Sequence, residues 1–404
     1  MTKNILSGLI IYRRLLNDET VILYNNVYKK YLCIISNEDN EDIEEYIKEY
    51  YNLSSALINL HCQSINDYLA DMILKDENIF SLSAERGQVI DERIKKAVIH
   101  DIVLLKKLFE LPSDDMAECA GDFNKFICYK NSEPSVAFFT SNKAEAIYEY
   151  IYNDYKNNGC GAYRNNYAFS INDNGSIVPL DKFNPIHMDE IYGYKSQKNK
   201  IVSNTEKFVS GKYALNTLLV GDSGTGKSTA VKSLIPMFKN RKLRLIEAEK
   251  EKIYFIPQII ETLKNRGMYF IIFIDDLSFE SNENSYKYLK SAVEGSILEQ
   301  PDNILFYVTS NRKHLIKENM SERQNEVHMT DAINEQTSLS ERFGLTIIYN
   351  EPNQNEYFEI VLGLAEKYNV KYENKEQFLA EAKKYAMQNG GRTGRSAVQF
   401  IRTI

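Results

Sequence analysis

Residues 221–228 read GDSGTGKS. They stand between the apolar run 215–220, with Asn216 and Thr217 interleaved, and a helical pattern opened by Thr229, Ala230, Val231 and Leu234. Strand, glycine-rich turn and helix in that order are the setting a phosphate-binding loop requires. Gly221, Gly224 and Gly226 let the backbone turn its amides inward, so that successive N–H groups and the following helix N-terminus face an anion. Lys227 has the length to reach outer phosphates, and Ser228 offers a hydroxyl to the magnesium ion that accompanies a nucleotide. With Asp222, Ser223, Thr225 and Thr229, these residues make a continuous expected contact surface for phosphate. The loop calls for an α/β sheet beneath it.

The rest of the second half supplies that sheet. Strands are expected at 215–220, 243–249, 270–276, 303–310 and 345–350, with helices at 226–238, 254–266 and 284–298 between them. Apolar strands alternating with helices predict a parallel sheet covered on both faces. Three helical patterns follow, at 354–368, 375–389 and 394–403. Upstream the period is helical, as in 91–111 and 142–157, where tyrosines and leucines look like packing material. The first twenty residues read as an amphipathic helix and not a signal peptide. The acidic run 37–46 reads as solvated helix surface. Asn174-Gly175 between two alternating segments predicts a hairpin, and Pro179 and Pro185 mark a linker after it. A chain of 404 residues is too long for one ordinary core. The expected organisation is a mainly helical N-terminal domain at 1–158, hairpin and linker at 159–185, an α/β core at 186–350 and a helical lid at 351–404.

Ligands of open α/β sheets sit beyond the carboxyl ends of the strands, so the later strand ends decide the chemistry. The strand FIIFIDD ends in Asp275 and Asp276. Carboxylates at the tip of a buried strand are costly without a cation, and magnesium supplies one. Asp275 would hold the ion, and Asp276 would orient or deprotonate an attacking water; both could instead cap the next helix. Asn311, at the end of NILFYVTSN, could position that water or be a helix cap. Arg342, just before the last strand, could enter a neighbouring copy's site or make a surface ion pair. In NGGRTGRSAVQF, Arg395 at the head of the final helix is preferred over Arg392 as the arginine that folds back over phosphates.

Composition narrows the surroundings. No apolar stretch approaches the roughly 18–20 residues of a membrane span, and the net charge of −7 argues against broad coating of nucleic acid. Five dispersed cysteines without a CxxC pair point to reduced thiols and a cytoplasmic setting, and the His61-Cys62 pair alone lacks metal-site spacing.

The order of these features resembles AAA+ ATPases. GDSGTGKS is similar to Walker A, IDD (274–276) to Walker B, TSN (309–311) to sensor 1, SERFG (340–344) to the box with the arginine finger, and GRSAVQF (394–400) to sensor 2. DEIYGYKSQKNKI (189–201) resembles the segment that packs on adenine, which implies contacts from Ile191, Tyr192 and Gly193. The long strings from NTEKFVSGKYALNTLLVGDSGTGKSTAVKSL to SLSERFGL further resemble the bacterial ATPase family labelled domain of unknown function 815, over about residues 186–404. The resemblance implies an α/β AAA+ P-loop core, a small helical lid, ATP with Mg2+ as ligands, and self-association as a ring or nucleotide-dependent oligomer. It implies hydrolysis of ATP at an inter-subunit site to remodel or load a protein or nucleic-acid partner that it does not name. The alternative is a nucleotide-gated binding module with slow or absent hydrolysis. Two departures bear on this choice: Asp275-Asp276 stands where Asp-Glu is usual, leaving Glu280 as a substitute base, and the polar segment 317–336 reads as an insertion.

Overall fold

The computed structural model describes residues 5–36, 43–128, 143–278, 288–289, 293, 301–311 and 342–404. They form two compact units, Met1–Arg164 and Asn165–Ile404.

The first unit is helical. Its described helices are α1 (Glu19–Ser36), α2 (Ile43–Asn59), α3 (Ile65–Lys75), α4 (Ile79–Glu85), α5 (Glu92–Phe109), α6 (Ser113–Cys119) and α7 (Ala144–Asn158). Local chemistry starts several of them: Ser64, Asn78 and Asp91 each accept a backbone N–H of the first turn. Tyrosines fill the interior, with Tyr12, Tyr24, Tyr46, Tyr50 and Tyr155 fully buried. Burying a phenol leaves its hydroxyl in need of a partner. Tyr46 donates to the carbonyl of Met116 at 2.6 Å, Tyr50 to the Asp122 carboxylate at 2.7 Å, and Tyr155 to the carbonyl of Ile73.

The amphipathic helix expected over the first twenty residues does not form. Ile5–Gly8 and Arg13–Asn17 are separate 3₁₀ turns. The reason is Asp101 of α5, whose side chain is 0% exposed and whose carboxylate collects the N–H groups of Ile10, Ile11 and Tyr12 at 2.7–3.1 Å. In an α-helix those donors would serve carbonyls four residues back; here a buried charge takes all three.

The second unit carries one seven-stranded sheet. Its elements are β1 (Ala168–Ile171), β2 (Ile177–Pro179), α8 (Lys195–Val209), β3 (Thr217–Gly221), α9 (Lys227–Lys232), α10 (Leu234–Phe238), β4 (Leu243–Glu247), α11 (Ile256–Leu263), β5 (Tyr269–Ile274), β6 (Ile304–Ser310), β7 (Leu345–Tyr349), α12 (Gln354–Lys367), α13 (Lys375–Gln388) and α14 (Gly394–Arg402). The strand order is β2-β1-β4-β5-β6-β3-β7. Every pairing is parallel except β1 with β2. β5 and β6 are buried along nearly their whole length, as strands covered on both faces must be.

The fold class is therefore the expected one, with three local corrections. The hairpin at Asn174-Gly175 forms, but its first strand pairs with β4 (Ala168 opposite Leu245), so it extends the sheet and gives it an antiparallel edge. Asn172 Oδ1 accepts the N–H groups of Asn174 and Ser176 at 3.0 and 2.9 Å and closes the turn. The helix expected over 226–238 is broken at Ser233, because Pro236 has no N–H to donate and its ring crowds the carbonyl four residues back. β5 ends at Ile274, which leaves Asp275 and Asp276 just past the strand tip. Most of the expected helix at 284–298 lies outside the described residues.

Helices α12, α13 and α14 share a small core of Tyr357, Val361, Phe378, Ala382, Phe400 and Ile401. Capping boxes at Asn353 and Thr393 start the first and last of them. No helix among the described residues is long and apolar enough to cross a membrane, and the five cysteines are free thiols.

The Asp101 anchor makes a direct demand. Asp101→Ala removes a charged acceptor from three amides, a local loss of about 2–3 kcal/mol. Hydrogen exchange on the full chain is expected to speed up over residues 9–15 while the β3–β6 amides stay protected; unchanged exchange in that segment would contradict the anchor.

Candidate functional site

β3 lies between β6 and β7, and its carboxyl end delivers the glycine-rich loop. Gly221 sits at φ 148°, and a Cβ there would overlap the backbone carbonyl of Tyr349 on β7, so only glycine fits. Beyond it, Thr225 closes the turn by donating its hydroxyl to the carbonyl of Asp222 at 2.8 Å. Lys227 then opens α9 and turns back under the loop. Its ammonium donates to the carbonyls of Gly221 (2.7 Å) and Asp222 (2.9 Å) and to Asn311 Oδ1 (2.9 Å). The residue is only 6% exposed. Burial pulls the Lys227 pKa below the ordinary lysine value, against the opposing pull of Asp276, Asp222 and Asp275.

The tips of β5 and β6 complete the polar end. Asp275 Oδ1 accepts the hydroxyls of Ser228 at 2.5 Å and Thr309 at 2.6 Å. The N–H of Asp276 donates to Thr309 Oγ1 at 2.8 Å, and its carboxylate accepts from Asn311 Nδ2 at 2.6 Å. Asp276 is left-handed, φ +50°, a conformation that costs a non-glycine residue about 1–2 kcal/mol. Asn311 thus touches the loop lysine with its oxygen and Asp276 with its nitrogen. Ser228 and Asp275 bring a hydroxyl and a carboxylate together from different elements. Such oxygen donors suit magnesium, which is held by one or two carboxylates plus phosphate and water.

One cavity of about 630 Å³ runs from this cluster to the lid. Its far end is apolar, lined by Ile186, Ile191, Tyr192, Ile360, Leu364 and Val398. Tyr192 lies against Gly363 of α12, where any Cβ would overlap the ring. A 2.7 Å ion pair between Glu190 and Lys367 stands at the rim and ties the segment before α8 to the lid. Near the loop, the N–H of Arg395 donates to the carbonyl of Gly224 at 3.3 Å, which joins lid to loop through backbone.

The family model that matches residues 163–404 is described as a protein of unknown function, DUF815, and it spans more than half of the 404 residues. The chain belongs to the DUF815 family. No curated protein matches it. Among solved structures, the Thermotoga maritima RuvB Holliday junction branch migration motor is similar at 19% identity, over 54% of this chain and 63% of that one, with a TM-score of 0.38. The FIGL-1 AAA domain in complex with ADP is similar at 16% identity over 54% and 72%, TM-score 0.38. C. elegans PCH-2 is similar at 15% identity over 52% and 63%, TM-score 0.35. The chain thus spans less than two thirds of the RuvB structure's length.

In this DUF815 chain, Ser223 through Thr229, Asp275, Asp276, Asn311, Ile191, Tyr192 and Arg395 all line the one cavity. Gly221 and Asp222 lie beneath it, their carbonyls holding Lys227. Gly193 does not line it; at φ +75° it turns the chain against Ile360. Of the two arginines weighed in NGGRTGRSAVQF, Arg392 pairs with Glu351 and Arg395 faces the cavity. Arg342, partly buried ahead of β7, is not among the lining residues. Glu280 and the segment 317–336 lie outside the described residues.

Thr309 falls in TSN, and Glu190 and Tyr194 fall in the segment 189–201, but nothing singles out any of the three there; Lys367 and Arg402 line the cavity from outside every motif. Arg395, Val398, Gln399 and Arg402 follow helical spacing along one face of α14, and that period could have nominated the last of them.

Gly363→Ala tests the apolar end. The added methyl displaces the Tyr192 ring, at a stability cost of about 1–3 kcal/mol. A polyphosphate ligand with a flat apolar group seated at that end is expected to lose affinity about tenfold or more, a loss near 1.4 kcal/mol, while inorganic triphosphate, which reaches only the loop, is expected to show no such loss. Equal losses for both ligands in titration calorimetry would remove Tyr192 from the ligand-contacting surface of the apolar end.

Proposed function

We propose that this chain is an AAA+ ATPase that binds ATP with magnesium between core and lid and hydrolyses it at a site completed by a neighbouring copy. What carries the reading is the single cavity that joins the loop, Asp275, Asp276, Asn311 and Arg395 at one end to Ile191, Tyr192, Ile360 and Leu364 at the other. A nucleotide needs that division, polyanion at one end and flat base at the other. The loop amides and Lys227 would take the phosphates. Ser228 and Asp275 would hold magnesium, which when bound neutralises phosphate charge. Asp276 would orient or deprotonate the attacking water, and Asn311, bonded to both Lys227 and Asp276, would fix where that water stands. Arg395 would lie over the phosphates, and Ile191 and Tyr192 would line the base pocket, with Gly193 turning the chain behind them.

Arg342 lies off this cavity, which fits a residue that serves a neighbour's site as an arginine finger. That role requires self-association. The work done is the remodelling or loading of a protein or nucleic-acid client, with the helical unit as its contact surface. Free thiols suit a cytoplasmic setting. A second reading, a nucleotide-gated module with slow turnover, is favoured by one observation: the acidic residue is the short Asp276, already held by Asn311 at 2.6 Å.

Lys227→Ala is expected to abolish measurable ATP binding. Arg342→Ala is expected to keep binding and lose turnover, on the order of 10³-fold or more as for arginine fingers elsewhere. Undiminished phosphate release in that variant removes the finger, and tight binding without release by the unaltered chain selects the second reading.

A further inference from the structure

Thr309, the first residue of TSN (309–311), joins the two acidic residues, a role its place in that string does not announce. It is the penultimate residue of β6 and 1% exposed. A hydroxyl has one proton to give and lone pairs to receive with. Here the proton goes to Asp275 Oδ1 at 2.6 Å and a lone pair takes the N–H of Asp276 at 2.8 Å, so both directions are fixed. Asp275 and Asp276 are consecutive residues past the end of β5, where the ladder no longer holds them. The backbone is pinned again only at Leu277, whose N–H donates to the Thr309 carbonyl at 2.8 Å; between the strand end and Leu277, the Thr309 side chain is the group that meets both acidic residues.

We infer that Thr309 is a positioning residue for the acidic pair: its hydroxyl holds the Asp275 carboxylate for the cation and fixes Asp276 in its left-handed turn. The inference rests on the nucleotide reading above. Ser228 and Thr309 both donate to Asp275 Oδ1, but they are not equivalent. Ser228 is on the loop, and its hydroxyl is the oxygen a magnesium ion would claim. When it is claimed, Thr309 is the donor that remains to keep the carboxylate aimed. Among the described residues Asp275 Oδ2 receives no hydrogen bond, which leaves that oxygen for the ion or its water. Through the Asp276 N–H, the same hydroxyl also sets the turn that carries the Asp276 carboxylate to Asn311. Valine has the shape of threonine and can do neither; serine can do both.

The test measures ATP affinity on the full chain in magnesium and in EDTA, for the unaltered protein, Thr309→Val and Thr309→Ser. The strengthening by magnesium is expected to shrink about 10- to 100-fold in T309V, the usual cost of losing a partner of a metal ligand. Affinity in EDTA is expected to stay unchanged, and T309S to keep most of the magnesium effect. A T309V protein as magnesium-responsive as the unaltered one overturns the proposal, as does a T309S protein as impaired as T309V. Should T309V fail to fold, Thr309→Ala makes the same comparison with less bulk. Absence of ATP binding by the unaltered chain overturns the nucleotide reading and this inference with it, whereas equal magnesium response in all three proteins overturns the Thr309 role alone.

Discussion

A buried ammonium ion organises the second unit. Lys227 directs its three protons to two carbonyls of the loop's own start and to Asn311 at the end of β6. A charge at 6% exposure is tolerable only when every donor is met. Meeting them fixes the curvature of the loop and the place of β6 relative to it. From Asn311 the order passes to Asp276, and from Ser228, next to Lys227, to Asp275 and Thr309. The polar end of the cavity is thus one hydrogen-bonded unit, in which neighbouring bonds reinforce one another.

Among the contacts that tie the lid to the same unit, three differ in character. Backbone joins Arg395 to Gly224, an ion pair joins Lys367 to Glu190, and van der Waals contact seats Tyr192 on Gly363. Only the backbone bond touches the loop. Changes at the loop therefore reach α14 directly and α12 through side chains, which can exchange partners at less cost than a main-chain bond.

The sheet was legible because its strands are apolar runs with unmistakable breaks, and the loop because its residue types admit few alternatives. The polar cluster was legible as a set of strand ends. Thr309 was not, since a threonine near the end of a strand is ordinary and its dual role appears only when β5 and β6 are side by side. The same holds for Lys367 and Glu190, 177 residues apart in sequence. In the first unit, helical periodicity gave α5 and α7, but the opening residues misled. Their pattern is amphipathic, and the acceptor that undoes the helix lies about ninety residues away at Asp101. Local pattern cannot register a long-range buried charge.

The hairpin at the far side of the sheet has a consequence of another kind. β4 would otherwise present a parallel edge of open donors and acceptors, a template on which a foreign strand could grow. β1 covers it, and β2 then runs for only three residues, the last of them Pro179, which has no amide N–H to offer. The sheet ends in a stop, so copies of this chain that meet must do so through side chains, not by adding strand to strand at this border.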